Sequence, residues 1–466
     1  MKGYSGWSYD PYKPLLFEVG EIYIARLVPS KNAVHVEWHD TPDEIYRVFV
    51  RQRGEETFTL FGETKKNEID ITGLTPDTDY ELYVAAGEKR SRVRLARAGE
   101  MVGTVVNYLH PDDTAYAFSG RYLCSPCVLR HPEGHLLASM DVYGWNHPQN
   151  LTMIFRSDDD GKTWHHLCDL MPCFWGRMFM HGGALYMIGC STEYGDVLIG
   201  RSEDGGRSFG TPSVLARGSG GKEGNTGWHK NPQPLHIQGD RLYLPIEWGS
   251  WQNGEYGHAA VVMSCPKDCD LLVPENWHFS EPRPFDYFTE ELSDLEKPVM
   301  TIEGTLVTAP DGRLLNAMRF GKYQKSLVYE VNTSDPDAPL SYSHCMDFPG
   351  NFSKFMIRYD AVSGQYYSIV CRVYDREKPW ARDLASLVCS KDLLHWQVVL
   401  DLFDYRNYVE DSYKKIGFQY VDFFFEGEDI LFLSRTALNG ANDFHNSNSM
   451  TFHRIKSFRS AEPTLI

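Results

Sequence analysis

The feature that most constrains this chain is a short turn that occurs twice in full and once in a worn form. Ser157-Asp158-Asp159-Asp160-Gly161-Lys162-Thr163-Trp164 and Ser202-Glu203-Asp204-Gly205-Gly206-Arg207-Ser208-Phe209 both read Ser-x-Asp-x-Gly-x-x-aromatic. Ser390-Lys391-Asp392-Leu393-Leu394-His395-Trp396 has lost the glycine and one spacer. The chemistry is that of a hairpin corner: the Asp carboxylate accepts from backbone N–H groups, glycine supplies a positive φ, and the aromatic ring drops into the core. The first copy follows the alternating run Leu151–Arg156. Full copies after strand-like runs point to a repeated β unit.

The repeat extends beyond these corners. From about residue 102 a Gly-containing turn followed by an apolar strand recurs six times: Arg130–His135, His181–Gly183, Gln238–Asp240, Pro310–Gly312, Val362–Gly364 and Glu426–Asp429. No segment of a dozen residues keeps a period of 3.6. The expectation is an all-β chain whose region 102–458 is a six-bladed β-propeller, a ring that leaves no long exposed edge and binds ligand at one end of its axis. Residues 459–466 form a C-terminal tail.

Ahead of the repeat, residues 1–17 are rich in aromatics and proline and are read as an arm. Residues 18–98 carry short alternating strands, an early Trp38 and the run Gly73-Leu74-Thr75-Pro76-Asp77-Thr78-Asp79-Tyr80. That pattern resembles a fibronectin type III sandwich, in which Leu74 and Tyr80 pack under the corner between two strands.

The 466 residues carry 46 Lys and Arg against 63 Asp and Glu, a formal net charge of −17. That balance argues against nucleic acid or an anionic membrane as the main partner. No apolar run is long enough to span a bilayer. The opening Met1–Trp7 lacks the apolar core of a secretory signal, so the expected location is cytoplasmic if Met1 is native, and secreted if a leader has been removed. The ten cysteines are scattered, with Cys124 and Cys127 close together and Cys265 and Cys269 flanking an irregular segment. They read as buried free thiols, with a zinc site the alternative. There is no His-Glu-x-x-His and no EF-hand spacing, so no metal or cofactor is expected.

The six hairpins, the three turns and several further segments are together similar to the sialidase superfamily over roughly 102–458, where the turns are known as Asp-boxes. The resemblance implies a pocket at the propeller axis, a Tyr–Glu nucleophile pair, three arginines on the substrate carboxylate and an Asp general acid. Gly417-Phe418-Gln419-Tyr420-Val421-Asp422 resembles the nucleophile segment, Thr301-Ile302-Glu303-Gly304 the strand of the partner Glu, Asn316-Ala317-Met318-Arg319 that of the second Arg, and Arg382, eight residues before the worn turn, the third. Tyr420 is then the nucleophile and Glu303 its base; a phenol with a pKa near 10 attacks poorly until a carboxylate takes its proton. A neutral Tyr also approaches an anomeric carbon beside an anionic group better than a carboxylate does.

The chain departs from that pattern twice. Cys124-Ser125-Pro126 stands where the first Arg belongs, and Asn150 where the acid Asp belongs. Asp141 and His147 are the substitute acids, Asp141 being favoured because burial can keep a carboxyl protonated near neutrality. Trp145 is a sugar-stacking candidate. Glu247, at a strand end, reads either as an acid or base or as a salt-bridged rim carboxylate. His229 reads as a site residue or a stacked loop His. Lys354 reads as facing the axis or as a solvated strand end, and Arg435 as a structural partner of Asp422.

The leading expectation is an exo-acting glycosidase on an acidic or related sugar, with retention of configuration and an oligosaccharide or glycoside as partner. A polysaccharide lyase acting on uronates through Tyr or His with Arg is the alternative, as is a non-catalytic carbohydrate-binding propeller.

Overall fold

The computed structural model describes residues 22–40, 44–219, 226–251, 257–285, 300–321, 324–351, 353–460 and 462–465. The expected arm at 1–17 and the start of the sandwich at 18–21 lie outside them, as do residues 461 and 466 of the tail.

Among the described residues the fold is all-β, with helix confined to a four-residue turn at Ser412–Lys415 and a 3-10 turn at Pro274–Asn276. Two sheets come first. Tyr23–Ser30, Ala33–His39 and Glu68–Thr72 form one; Thr59–Thr64, Tyr46–Gln52, Thr78–Ala86, Lys89–Arg90 and Arg94–Ala98 form the other. Alternation puts Val34, Val36 and Trp38 of one sheet against Tyr46, Val48, Leu82 and Val84 of the other in a shared core. Tyr80 turns its hydroxyl back to accept from the Thr75 backbone N–H at 2.9 Å, pinning the corner under which Leu74 packs.

Six antiparallel sheets follow. Their first strands are Tyr122–Arg130, Phe174–His181, the split pair Gly227–His229 and His236–Gln238, Thr301–Thr308, Ile357–Asp360 and Gly417–Glu426. These strands face one another at the centre. Asp422 of the sixth sheet accepts from the Val128 N–H of the first at 2.7 Å and pairs with Arg177 of the second at 2.6 Å. The arrangement is that of a β-propeller. Thr104–Tyr108, at the front of the ring, pairs with Ser449–Lys456 of the sixth sheet and closes it.

The Ser-x-Asp-x-Gly turns hold these sheets at their rim. Asp159 Oδ1 accepts from the Thr163 N–H (2.8 Å) and from Ser157 Oγ (2.9 Å), while Ser157 Oγ accepts from the Gly161 N–H (2.8 Å). Asp204, Ser202, Gly206 and Ser208 repeat the pattern at 2.9 Å in each of those bonds. Gly161 has φ of 86°, and a Cβ there would fall 2.1 Å from Phe452, so the position demands glycine twice over. Trp164 is fully buried and meets Phe452 edge-on, 5.4 Å between centroids, which carries the first sheet onto the sixth. In the worn copy Leu393 takes the left-handed position at φ 67°, and Trp396 is only half-buried.

The sandwich docks on the first sheet. Tyr23 donates to Asp169 at 2.7 Å, the His166 N–H donates to Glu37 at 3.0 Å, and the buried Arg94–Asp113 pair closes at 2.6 Å. None of the ten cysteines is in a disulfide; eight are buried, and Cys269 and Cys345 are half-buried.

Candidate active site

Four of the six first strands carry the same irregularity near their beginning. The register slips between Cys124 and Cys127, Phe174 and Arg177, Ile302 and Thr305, and Gln419 and Asp422. Within each slip one non-glycine residue is left-handed: Ser125 (φ 55°), Trp175 (54°), Glu303 (57°) and Tyr420 (54°). A bulge inserts one residue, bends the strand and re-aims a side chain; the left-handed backbone costs about 1–3 kcal/mol and persists where the surroundings over-determine it. All four bulged residues line a single cavity of about 400 Å³ at the axis, a volume suited to a small ligand.

Inside the cavity Tyr420 Oη donates to Glu303 Oε1 at 2.8 Å. Arg319 Nη1 lies 2.6 Å from Glu303 Oε2 and 2.8 Å from Tyr420 Oη, closing a three-membered cluster. Burial works to raise the Glu303 pKa, but the charges of Arg319 and His229 and the hydrogen bonds from Arg319 and Tyr420 outweigh it, leaving the carboxyl below its ordinary 4.5. Burial pushes the Tyr420 phenol up to about 12 against the pull of Arg319. The resting proton therefore belongs to Tyr420 and the charge to Glu303.

Arg435 lines the same wall, with its guanidinium 5.0 Å from the Tyr420 ring centroid, 5.5 Å from that of Tyr143, and Nη2 bonded to the His445 carbonyl. The expected Arg435–Asp422 pair does not form. The bulge at Tyr420 sets Gln419 opposite Arg435 and Asp422 opposite Leu433, and Arg177 takes Asp422 instead. Arg382 is buried behind Tyr420, 5.9 Å from its ring, with Nε and Nη1 without hydrogen bonds and its pKa brought down to about 10 by burial and by Arg319 and Arg435. Lys354 is also buried, its Nζ 5.9 Å from the Tyr420 ring, and burial lowers its pKa to about 8. Neither Arg382 nor Lys354 lines the cavity.

Beside Glu303, His229 Nδ1 bonds Glu247 Oε2 at 2.8 Å, and Glu247 Oε1 accepts from the Gly304 N–H at 3.2 Å. That pairing orients the ring and leaves its other nitrogen for the cavity, which His229 lines and Glu247 does not. Burial disfavours the imidazolium, but Glu247 more than compensates and the His229 pKa ends above 6.5.

Asp141 is fully buried and does not line the cavity. Its oxygens accept from Thr152 Oγ1 at 2.5 Å and from the Trp175 N–H at 2.6 Å, and burial raises its pKa to about 7. The carboxyl ties the first sheet to the second. His147 also lies off the lining, its Nδ1 2.8 Å from the Trp145 carbonyl. Trp145 stands at the cavity wall, 58% exposed.

Sequence reasoning passed over Glu193, Gln149, Tyr143 and Trp251, all of which line the cavity. Glu193 is buried and accepts from Gln149 Nε2 at 2.8 Å and Trp251 Nε1 at 3.1 Å. With Glu303 it is one of two carboxylates in the lining among the described residues. It sits between the second and third strands of the second sheet, the connection that in the first sheet holds Trp145 and His147. That equivalence was the available signal.

A larger cavity, about 550 Å³, opens at the far ends of the same strands, past Thr308, Arg358 and Phe425, with no carboxylate in its lining among the described residues.

The fold and site together define a β-propeller with a polar, aromatic-walled axial pocket. Among solved structures the chain is similar to an α-L-arabinanase of Penicillium chrysogenum complexed with arabinobiose, with 17% identity over 77% of this chain and 99% of that one and a TM-score of 0.50. It is similar to the Hadza microbial sialidase Hz136, with 13% identity over 96% of this chain and 99% of that one, again at 0.50. It also resembles the α-L-arabinofuranosidase Arb93A of Fusarium graminearum, with 13% identity, coverage of 75% and 97%, and a TM-score of 0.50. At these identities the likeness is one of fold. No family model matches the chain, and a comparison with curated proteins finds no match.

Proposed function

We propose that the protein is an exo-acting glycoside hydrolase of sialidase-like type, taking an acidic or related sugar and retaining anomeric configuration. The observation that carries this reading is the 2.8 Å Tyr420–Glu303 contact inside a cavity walled by Arg319 and Arg435. Tyr420 attacks the anomeric carbon as Glu303 takes the phenolic proton; water then displaces Tyr420 from the same carbon, and two inversions give retention. Arg319 and Arg435 supply guanidinium donors for a carboxylate or other anionic group, Arg435 making up for the Arg that Cys124 replaces. Glu193 takes the part of the general acid, supported by its place in the cavity wall. The printed names of the similar structures, two arabinan-type glycosidases and a sialidase, support a carbohydrate ligand. We read the six sheets as six blades and the N-terminal pair of sheets as a fibronectin type III-like module, supported by its strand grouping and the Tyr80 corner.

One observation favours a second reading. The His229–Glu247 pair facing the cavity has the form of an oriented base, as a lyase removing the proton α to a uronate carboxylate requires. The test is a screen of aryl glycosides and uronide oligosaccharides, with products followed in the ultraviolet and by anomeric NMR. A retained, saturated product supports the hydrolase; an unsaturated uronide supports the lyase.

A further inference from the structure

The turn from the first to the second strand of the first sheet reads His131-Pro132-Glu133-Gly134-His135 and serves no part of the axial site. It is tightly closed: the His131 N–H donates to the His135 carbonyl and the Gly134 N–H to the His131 carbonyl, both at 2.8 Å. Arg130 braces it by donating to the Gly134 carbonyl at 2.7 Å and pairing with Glu426 at 2.7 Å.

Three ligand-type atoms converge on one side of this turn, all within 4.8 Å of one another. His131 Nδ1 is 3.8 Å and His135 Nδ1 3.9 Å from Glu133 Oε2; His131 Nδ1 accepts from the Glu133 N–H at 3.3 Å, a bond that rotation of the ring gives up. His135 is only 3% exposed; one edge of its ring faces the Gly205 backbone, while Nδ1 has no hydrogen-bond partner. Buried polar groups are as a rule satisfied, and a buried imidazole nitrogen without a bond asks for an explanation.

We propose that His131, Glu133 and His135 bind one divalent transition-metal cation of the zinc type. Two imidazoles and one carboxylate, with solvent at the remaining position, suit zinc and discriminate against the all-oxygen preference of calcium and magnesium. Metal–ligand bonds of about 2.0–2.2 Å place ligand atoms roughly 3.3–3.5 Å apart in a tetrahedron. The two imidazoles now stack with 17° between planes, 4.4 Å between centroids. Closure therefore needs rotation of His131 and of the exposed Glu133 carboxylate toward His135, which stays in place. Gly205 of the neighbouring sheet backs the site: a Cβ there would lie 3.5 Å from His135 Cε1 and 3.7 Å from Glu133 Oε2. The bound ion stiffens the rim where the first and second sheets meet, at the end of the ring away from Tyr420.

The experiment uses the full chain stripped with a chelator and titrated with Zn²⁺, then with Co²⁺ as a spectroscopic substitute. One equivalent of Zn²⁺ binds and raises Tm by several degrees, whereas Ca²⁺ and Mg²⁺ do not. His131→Ala and Glu133→Ala, changes on the more accessible side of the turn, each weaken binding at least tenfold while the unliganded Tm stays near that of the parent. The Co²⁺ form shows visible bands without a thiolate charge-transfer band in the near ultraviolet. Zn²⁺ affinity unaltered in both variants, no bound equivalent, or a thiolate band placing the ion on cysteines overturns the proposal.

Discussion

Tyr420 and Glu303 meet at 2.8 Å across 117 residues because each occupies the left-handed position of a bulge in the first strand of its own sheet. The same backbone device, used from two sides of the axis, brings the phenol and the carboxylate together. Arg319, in the second strand of the Glu303 sheet, bonds both.

Replacing Tyr420 by Phe removes the attacking oxygen and keeps the ring between Arg382, Arg435 and Lys354. Turnover of any hydrolysed glycoside falls by several decades with circular dichroism and Tm near the parent values. Glu303→Gln leaves the phenol without its base and costs about 10²–10⁴-fold, the range for general-base assistance. Steady-state kinetics on one aryl glycoside measures both; parent-like activity in Tyr420→Phe sinks the Tyr nucleophile.

The acid assignment separates through leaving groups. Glu193→Gln slows glycosides with poor leaving groups by about 10²–10⁴-fold and barely touches an activated aryl glycoside, which departs without a proton. Equal losses on both substrates mark Glu193 as a binding group instead.

The pH dependence follows from two opposite shifts. Glu303 sits below 4.5, so its carboxylate persists, and the stability it adds is present above 4.5 and lost as pH falls through its folded pKa. Hydrolase kcat/KM thus keeps its base on the acid side until below 4.5. His229 lies above 6.5, so its contribution to stability is present below 6.5 and lost as pH rises through its folded value. A lyase using His229 as base is mostly protonated at 6.5 and gains rate above it. The pH–rate profile therefore distinguishes the two chemistries.

Arg435→Ala weakens binding of a simple uronate at least tenfold, measured by calorimetry, because the variant removes a guanidinium from the cavity wall. Arg435→Lys restores charge without the planar fork and recovers only part of the affinity.

Trp164→Ala empties a fully buried site between the first and sixth sheets and costs about 3–5 kcal/mol. Trp396→Ala, from a half-buried position, costs less. Thermal unfolding of both variants gives the order.

Local patterns made much of this legible in the sequence. The Gly turns and Ser-x-Asp-x-Gly corners announce hairpins because their chemistry lies within eight residues, and Tyr420, Glu303 and Arg319, each singled out in the sequence, meet in one cluster. Side-chain direction was harder to read. Asp141 alternates toward the Trp175 N–H and away from the cavity, and Arg435 loses its expected partner because a bulge moves the register by one residue. Glu193 comes from a loop, where no period exists to say which way a residue points.

The pairing of Thr104–Tyr108 with Ser449–Lys456 gives the ring a chronology. During synthesis, a chain extended through its fifth sheet already holds Glu303, Arg319 and Arg382 but not Tyr420, and Thr104–Tyr108 still waits for its partner. Its unpaired edge is a template for any passing strand. Tyr420 and the strand that fastens the circle belong to the same sixth sheet, so a ring that lacks this sheet also lacks the Tyr420–Glu303 contact.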